Sequence, residues 1–323
     1  MIAQIDQEYV TTAGLARTAR RLAAYTFFEG RPAVVRGQWF NPVVRANLSL
    51  GMRSGIRRGV DRPVFVVGIG RSGTTHLSRL LSAHREVGWL NEPKLIWNMI
   101  HPGEDVSGFY APRGRFRLGA QDATPDVRAR AEHLFGYYLA AVRAHRLVDK
   151  YPEMTYRIPF LRALFPDSRI VAIVRRPDDF VHSVLAWNRR NAHDGQDWWG
   201  VRDSKWHQMR AELVPRDAAV GEALAGAGDR PAEPAEKAAA EWALGMRSIL
   251  AAADDVDEIV RYEDLALRPA EVIDGVLRTC ELDRDPRVMR LTRRSTSSGL
   301  RDERADFGVL RDVVARTREA IGV

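Results

Sequence analysis

The chain has 323 residues, 45% of them hydrophobic, and a net charge of +7 at pH 7. Its length suits one large α/β domain with additions or two small domains. No apolar run approaches ~20 residues, so we expect no membrane span. The first residues carry Asp6 and Glu8 and lack a basic start followed by an apolar stretch, so we expect no signal peptide. The single cysteine, Cys280, excludes an internal disulfide and a cysteine-built metal site, and we expect a cytoplasmic protein.

The basic residues are nearly all arginines, which suits bidentate recognition of phosphate or sulfate. Nucleic acid is the rival explanation for the basic balance. The arginines are scattered among acids, and no basic stripe interleaved with aromatic residues is present. We therefore expect no nucleic-acid partner.

In chain order, helical spacing predicts helices over residues 5–29 and 42–56, and we expect residues 1–60 to form an N-terminal helical extension. Several arginines lie on these segments. They form either a solvated helix face packed on the domain or a basic amphipathic surface that touches a membrane or a lipidic substrate.

The main domain is expected over residues 61–323 and begins with a strand, 64–67, a glycine turn and a helix, 74–84. Further strands are predicted at 87–90, 147–150, 169–174 and 258–261, and helices at 126–145, 156–165, 236–253 and 269–280. Another helix runs through Ser183 to about residue 190. Two irregular stretches, 101–125 and 191–234, are expected to be insertions that form a lid or wall an acceptor pocket, with 221–234 a mobile surface loop. Strands alternating with helices predict a central parallel sheet flanked by helices.

The turn after the first strand is a candidate anion site. Its glycines allow a tight turn, and the helix that follows points unpaired N–H groups and its positive dipole end into it. The spacing resembles the nucleotide-binding loop G-x-x-x-x-G-K-[ST] with Gly68 and Gly73 in place, but Thr74 stands where the lysine belongs and Arg71 is the basic residue. This favours a phosphate cradle not built for ATP hydrolysis. The alternatives are a kinase or nucleoside triphosphatase, an idle nucleotide-binding protein, or a glycine turn with no ligand.

A second anion site is indicated by Arg175, at the carboxyl end of a buried strand, and Ser183, eight residues further on. An arginine and a hydroxyl make a good cradle for a monophosphate. The alternative is that Arg175 pairs with Asp178 or Asp179.

These motifs resemble those of sulfotransferases that use 3′-phosphoadenosine 5′-phosphosulfate (PAPS). G-x-x-R-S-G-T-T resembles their 5′-phosphosulfate loop, and R-x-P-x-x-x-x-x-S resembles their 3′-phosphate motif. The resemblance covers about residues 62–300 and is nearest to the tyrosylprotein and carbohydrate sulfotransferases. It implies a P-loop-like sulfotransferase fold, PAPS as donor and 3′,5′-adenosine bisphosphate (PAP) as product. The histidines form no metal-ligand pattern with nearby acids, so we expect no metal. The nucleotide-binding residues that the resemblance implies are Gly70, Arg71, Ser72, Gly73, Thr74, Thr75, Arg175, Ser183, Tyr262 and Ser295.

The same resemblance implies catalytic roles. Glu92, in LNEP, matches the family's carboxylate base, which accepts the proton of an acceptor hydroxyl. Lys150, Lys94 and Arg71 match cations that neutralise charge developing on the transferred group. Alternatives remain: Glu92 as a helix-cap partner near Lys94, and Lys150 in an ion pair with Asp149 or Glu153.

The tail and the acceptor are less determined. Tyr262 in YEDL matches a tyrosine near the nucleotide, with core packing as the alternative. Ser295 and Thr296 match a late nucleotide-contacting loop, whose basic partner is Arg293, Arg294 or Arg301. The expected acceptor is a hydroxyl of a small molecule, glycolipid or carbohydrate, with a tyrosyl peptide as the alternative; the sequence does not give the oligomeric state.

Overall fold

The computed structural model describes residues 3–31, 37–56, 58–106, 110, 114–192, 196–228, 230–294 and 303–323. Its strands are β1 (Val64–Val67), β2 (Val87–Asn91), β3 (Arg146–Lys150), β4 (Arg169–Val174), β5 (Gln196–Asp197), β6 (Gly200–Val201) and β7 (Glu258–Arg261). Five of them form one sheet in the order β2–β3–β1–β4–β7, and every pairing in it is parallel. The predicted central parallel sheet is thus confirmed. Strands β5 and β6 form a separate antiparallel ribbon.

The helices cover both faces of the sheet. They are α1 (Gln7–Ala13), α2 (Leu15–Phe27), α3 (Asn41–Arg53), α4 (Thr74–Ser82), α5 (Lys94–Ile100), α6 (Pro125–Ala141), α7 (Ile158–Leu164), α8 (Pro177–Asn191), α9 (Ser204–Glu212), α10 (Ala218–Ala225), α11 (Pro234–Ala251), α12 (Tyr262–Leu267), α13 (Pro269–Thr279), α14 (Pro286–Arg294) and α15 (Arg311–Ile321). No helix among the described residues is long and apolar enough to cross a membrane.

Three local predictions were wrong. The helix expected over 5–29 is broken at Gly14, whose φ of +84° lies in the left-handed region that glycine tolerates. The stretch 191–234, expected to be irregular, contains the β5–β6 ribbon and α9, which buries Trp206 and Met209. Residue 221, where a surface loop was expected to begin, lies inside α10 instead. Burial of the neighbouring Val220 outweighs the weak helix propensity of Gly221.

Strand β1 shows how the sheet separates two cores. Successive side chains of a strand point to opposite faces, so Val64 and Val66 enter one core while Phe65 and Val67 enter the other. All four are at most 1% exposed. Burying such side chains stabilises the fold by about 1.5–3 kcal/mol each, which holds the β1 end rigidly where the glycine turn begins.

The N-terminal helices pack on this domain. Tyr9 lies in the same core as Val64, and Val44 and Leu48 lie in the core of Phe65. Arg21 and Glu29 form a buried ion pair, and Glu29 Oε1 accepts a hydrogen bond from the backbone N–H of Asn91 at 2.7 Å. Arg21 is therefore structural rather than part of a solvated face. The boundary at residue 60 stays a prediction.

Candidate active site at the carboxyl edge of the sheet

The predicted site residues follow neighbouring strands. The glycine turn follows β1, Glu92 follows β2, Lys150 ends β3 and Arg175 follows β4. Because the strands are parallel, these positions share one edge of the sheet, where ligands bind in open α/β folds. Residues far apart in the sequence therefore meet in space.

The turn between β1 and α4 has a left-handed backbone at several positions. The φ angles are +138° at Gly68, +69° at Arg71 and +96° at Gly73. Left-handed turns of this kind, next to the N-terminus of α4, present backbone N–H groups as a concave anion site. The start of the turn is held in place by a hydrogen bond, because the N–H of Gly68 donates to Thr155 Oγ1 at 2.8 Å.

Two aromatic rings press on the glycines of the turn. A Cβ on Gly70 would lie 2.9 Å from the ring of Trp198, and a Cβ on Gly73 would lie 2.3 Å from the ring of Tyr262. The Ser72 hydroxyl is buried and has no hydrogen-bond partner among the described residues. A cradle that tolerates only glycine at two points and holds an unsatisfied hydroxyl fits a phosphate or sulfate group.

One cleft lies on the Tyr262 side of the turn. It encloses about 330 Å³ and is lined by Arg71, Thr74, Arg175, Ser183 and Tyr262, among others. Arg71 Nε donates to Ser183 Oγ at 3.0 Å, and a terminal nitrogen of Arg175 donates to the Arg71 carbonyl at 2.7 Å. The Arg175 guanidinium lies 4.4 Å from the centre of the Tyr262 ring. The two predicted anion sites thus share one cleft.

This cleft carries concentrated positive charge. Partial burial of the guanidinium, together with nearby Arg175 and Arg190, lowers the pKa of Arg71. Burial also lowers the pKa of Arg175. Cations that destabilise one another's charge in this way favour the arrival of an anion between them.

A second cleft of about 270 Å³ lies on the Trp198 side of the turn and shares Arg71, Thr74 and Thr75 with the first. At its floor, Lys150 Nζ donates to Glu92 Oε1 at 2.5 Å. Lys150 is 1% exposed, whereas the Glu92 side chain is 41% exposed. The lysine is therefore fixed and the carboxylate is open to a ligand. The partner of Lys150 is Glu92, rather than Asp149 or Glu153.

Glu92 has a left-handed backbone, with φ of +55°. Its N–H donates to the Lys150 carbonyl at 2.7 Å, and its own carbonyl accepts from the N–H of Lys94 at 2.8 Å. A non-glycine residue at positive φ is strained by about 1–3 kcal/mol and persists where its surroundings over-determine it. The side chain is thereby turned toward Lys150 rather than toward the start of α5.

Lys94 does not line the second cleft. It is 6% exposed, and its Nζ donates to Glu153 Oε1 at 3.0 Å and to the Tyr151 hydroxyl at 2.9 Å. Burial works against its charge, but Glu153 and Glu104 more than compensate and raise the pKa of Lys94. Burial alone would raise the pKa of the Glu153 carboxyl. The positive charge of Lys94 and a 2.6 Å hydrogen bond from Tyr110 outweigh burial and lower that pKa to about 2. The cleft wall therefore presents an ionised carboxylate, with Lys94 behind it.

Sequence reasoning did not name several residues of the second cleft as site residues, although some lie in stretches expected to wall an acceptor pocket. They are Tyr110, Phe116, Glu153, Tyr156, Trp198, Lys205 and Glu241. Tyr110 and Phe116 lie in the predicted 101–125 insertion, and Trp198 and Lys205 in the 191–234 insertion. Glu241 on α11 binds Lys205 at 2.6 Å and the Trp198 indole N–H at 2.8 Å. A glutamate that follows three alanines and precedes Trp242 on the buried face of α11 was the signal that could have identified it.

The roles given to these residues stay predictions. The structure brings Gly70, Arg71, Thr74, Thr75, Glu92 and Lys150 to the second cleft, and Arg175, Ser183 and Tyr262 with Gly73 to the first. Ser295, Thr296 and Arg301 lie outside the described residues.

The sequence is similar to known sulfotransferases and to a nodulation protein. The model of the "Sulfotransferase family" matches residues 63–223, which include both clefts' strand ends. The nodulation protein NoeE of Sinorhizobium fredii is 27% identical over 224 residues, covering 66% of this chain and 48% of the relative. Protein-tyrosine sulfotransferase 1 of Homo sapiens is 26% identical over 186 residues, covering 56% of this chain and 49% of the relative. The chain thus spans about half the length of these curated relatives.

Among solved structures, sulfotransferase STF1 from Mycobacterium tuberculosis is 16% identical with a TM-score of 0.48, covering 100% of this chain and 99% of that one. The sulfotransferase domain of the curacin biosynthetic pathway is 13% identical with a TM-score of 0.46, covering 82% and 98%.

Proposed function

We propose that this chain, which belongs to the sulfotransferase family, moves a sulfuryl group from PAPS to the hydroxyl of a small-molecule, glycolipid or carbohydrate acceptor. The observation that carries the proposal is the pair of clefts that meet at Arg71. One cleft gathers arginines and a serine hydroxyl for an anion. The other holds a carboxylate and a lysine beside the same loop.

The donor would lie across both clefts. Backbone N–H groups of the glycine turn and of the α4 N-terminus would bind its 5′-phosphosulfate. Arg175 and Ser183 would bind the 3′-phosphate, a role that the Arg71–Ser183 contact supports because it places the two anion sites next to each other. Tyr262 would offer its ring beside the nucleotide. ATP lacks a 3′-phosphate, and the loop lacks the lysine that reaches the outer phosphates of ATP.

Transfer needs a base for the acceptor and a cation for the leaving group. Glu92 would take the acceptor's proton as the new oxygen–sulfur bond forms. The bond between sulfur and the 5′-phosphate oxygen breaks, and its electron pair stays on that phosphate oxygen. Lys150 and Arg71 would stabilise the charge that appears there.

The 2.5 Å contact between Lys150 and Glu92 couples these two roles. Before reaction, the lysine holds the Glu92 carboxylate, the group that would accept the proton, in place by a hydrogen bond. Once Glu92 is protonated, Lys150 loses its counter-ion. Its full charge then acts on the leaving phosphate at the moment that the charge develops.

The acceptor would enter the second cleft, between Tyr110, Phe116, Tyr156 and Trp198. Tyr110 and Phe116 are stacked with ring centres 4.4 Å apart. Apolar rings beside a few polar groups are typical of small-ligand pockets, and about 270 Å³ lies near the lower end of their volumes. Glu153 and Glu241 on the same walls are paired with Lys94 and Lys205, so these lysines are already neutralised and offer little attraction to an acidic peptide, which supports a small neutral group.

The test is incubation of the chain with PAPS and a panel of sugars, glycolipids, phenols and tyrosyl peptides, followed by mass spectrometry. We expect a product heavier by one SO₃ group and an equal amount of PAP. Phosphorylated product made from ATP and Mg²⁺, with no sulfated product from any acceptor, would replace this proposal with a kinase.

A further inference from the structure

Most exposed large hydrophobic side chains lie in the N-terminal helices. Of nine such residues among the described part of the chain, seven fall between residues 15 and 56: Leu15, Leu22, Phe27, Trp39, Val43, Leu50 and Ile56. Isolated exposed hydrophobics are normal, but this concentration in one segment is not.

Helix α3 is apolar on two sides. Val44 and Leu48 are fully buried on the side that packs against the domain. Trp39, in the turn just before α3, and Val43 and Leu50 on the helix are 77%, 45% and 66% exposed. With Ala46, also exposed, they recur at spacings of four, three and four residues and so form one continuous stripe. We call Trp39, Val43, Ala46 and Leu50 the α3 stripe. A helix that is apolar on both sides normally has both sides covered.

Charge indicates what covers the stripe. Residues 9–60 contain nine arginines and one acidic residue, Glu29, so this segment carries +8 while the whole chain carries +7. Glu29 is buried against Arg21 and is not available at the surface. Arg45 and Arg53 lie exposed on α3, and neither forms an ion pair with a described residue. An exposed apolar stripe with a tryptophan, flanked by arginines in a segment whose one acidic residue is buried, is complementary to an anionic lipid surface.

We propose that the α3 stripe docks on the surface of an anionic lipid bilayer. Trp39, Val43 and Leu50 enter the boundary between headgroups and acyl chains, and Arg45 and Arg53 contact the lipid phosphates. The inference does not rest on the proposed transfer reaction. Asn98 of α5 accepts a hydrogen bond from Arg45 at 3.3 Å, so the docking helix is tied to the helix that follows Glu92.

The test is flotation of the full chain with vesicles of phosphatidylcholine alone or of phosphatidylcholine with phosphatidylglycerol. We expect binding to the phosphatidylglycerol vesicles, little to phosphatidylcholine alone, and weakening as salt is raised. The double variant Trp39→Ser/Leu50→Ser should lose at least about tenfold in vesicle affinity. Arg45→Glu/Arg53→Glu should lose binding to anionic vesicles as well. Leu267→Ser, which removes a 68% exposed leucine elsewhere, is the matched control and should bind as the parent does.

Thermal unfolding of each variant shows whether it is folded, and exposed sites should tolerate these changes. Absence of binding to phosphatidylglycerol vesicles by the parent chain would overturn the proposal. So would equal binding by parent and stripe variants. Sedimentation that shows a dimer of the parent, dissociated by Trp39→Ser/Leu50→Ser, would assign the stripe to a second copy of the chain instead.

Discussion

Replacing Glu92 with glutamine separates its proposed chemical role from its structural role. Glutamine keeps the size of the side chain and an oxygen that can accept from Lys150, but it cannot take a proton at neutral pH. Loss of a general base lowers a rate by about 10²–10⁴-fold, or about 3–5 kcal/mol in the barrier. We therefore expect turnover of Glu92→Gln to fall by at least about 10²-fold.

The cost to stability should be smaller. Lys150 is 1% exposed but the Glu92 side chain is 41% exposed, and glutamine keeps a hydrogen bond to the lysine, so loss of the carboxylate charge should cost about 1–3 kcal/mol. For a chain of this size that is a shift of several degrees in Tm, about 2–4 °C per kcal/mol. A rate loss with no larger shift in Tm would thus report on chemistry rather than on unfolding.

The chain offers a matched control in Glu281. Its side chain is also 41% exposed, its φ is +51°, and it binds Arg62 and Arg169 near the amino ends of the strands. Glu281→Gln should turn over as the parent does. The assay is PAP release at saturating PAPS with an acceptor found for the parent chain, together with the calorimetric Kd for PAP. Parent-like turnover by Glu92→Gln with PAP binding retained would refute the base assignment.

Three further changes test neighbouring parts of the structure. Arg175→Lys removes the planar guanidinium, so the affinity for PAP should fall by about tenfold. AMP lacks the 3′-phosphate, and its affinity should be almost unchanged. An equal loss for both nucleotides would contradict the assignment of Arg175 to the 3′-phosphate. Gly73→Ala would place a Cβ 2.3 Å from the Tyr262 ring at a residue whose φ is +96°. Calorimetry should therefore show an affinity for PAP at least about tenfold lower. An affinity equal to that of the parent would show that the turn does not bind the phosphate. Burial raises the pKa of Asp149 to about 8 despite a 2.8 Å hydrogen bond from the Trp97 indole. In the folded state Asp149 therefore keeps its proton up to about pH 8, whereas in the unfolded state it releases the proton near pH 4. The free energy of unfolding of the parent consequently falls as the pH rises from about 4 to about 8. The advantage of Asp149→Asn in urea unfolding should grow over that range, and an advantage independent of pH would contradict it.

The sheet was predictable because its strands carry strong local patterns. The strands at 64–67, 169–174 and 258–261 were predicted with the bounds that the structure has, since short β-branched runs bounded by turn residues need no tertiary information. The glycine turn was equally readable, because glycine is the residue that left-handed positions such as Gly68 and Gly73 require.

The cleft walls were harder to predict because they depend on strand order. Asn91 and Lys150 are partners in the parallel β2–β3 register, so the residues after each lie alongside one another. This places Lys94 next to Glu153 and Glu92 next to Lys150, whereas the sequence alone did not say which lysine meets which acid. Glu241 reaches the cleft from α11, 36 residues beyond its partner Lys205, and no local pattern encodes that contact.

Calorimetric titration with PAP, beside ADP and ATP with Mg²⁺, measures the central claim most directly. Two phosphate sites that share Arg71 predict that PAP binds at least about tenfold more tightly than ADP, and that Mg²⁺ is not needed. A chain that releases no heat with millimolar PAP, or that binds ATP with Mg²⁺ more tightly than PAP, would contradict the account.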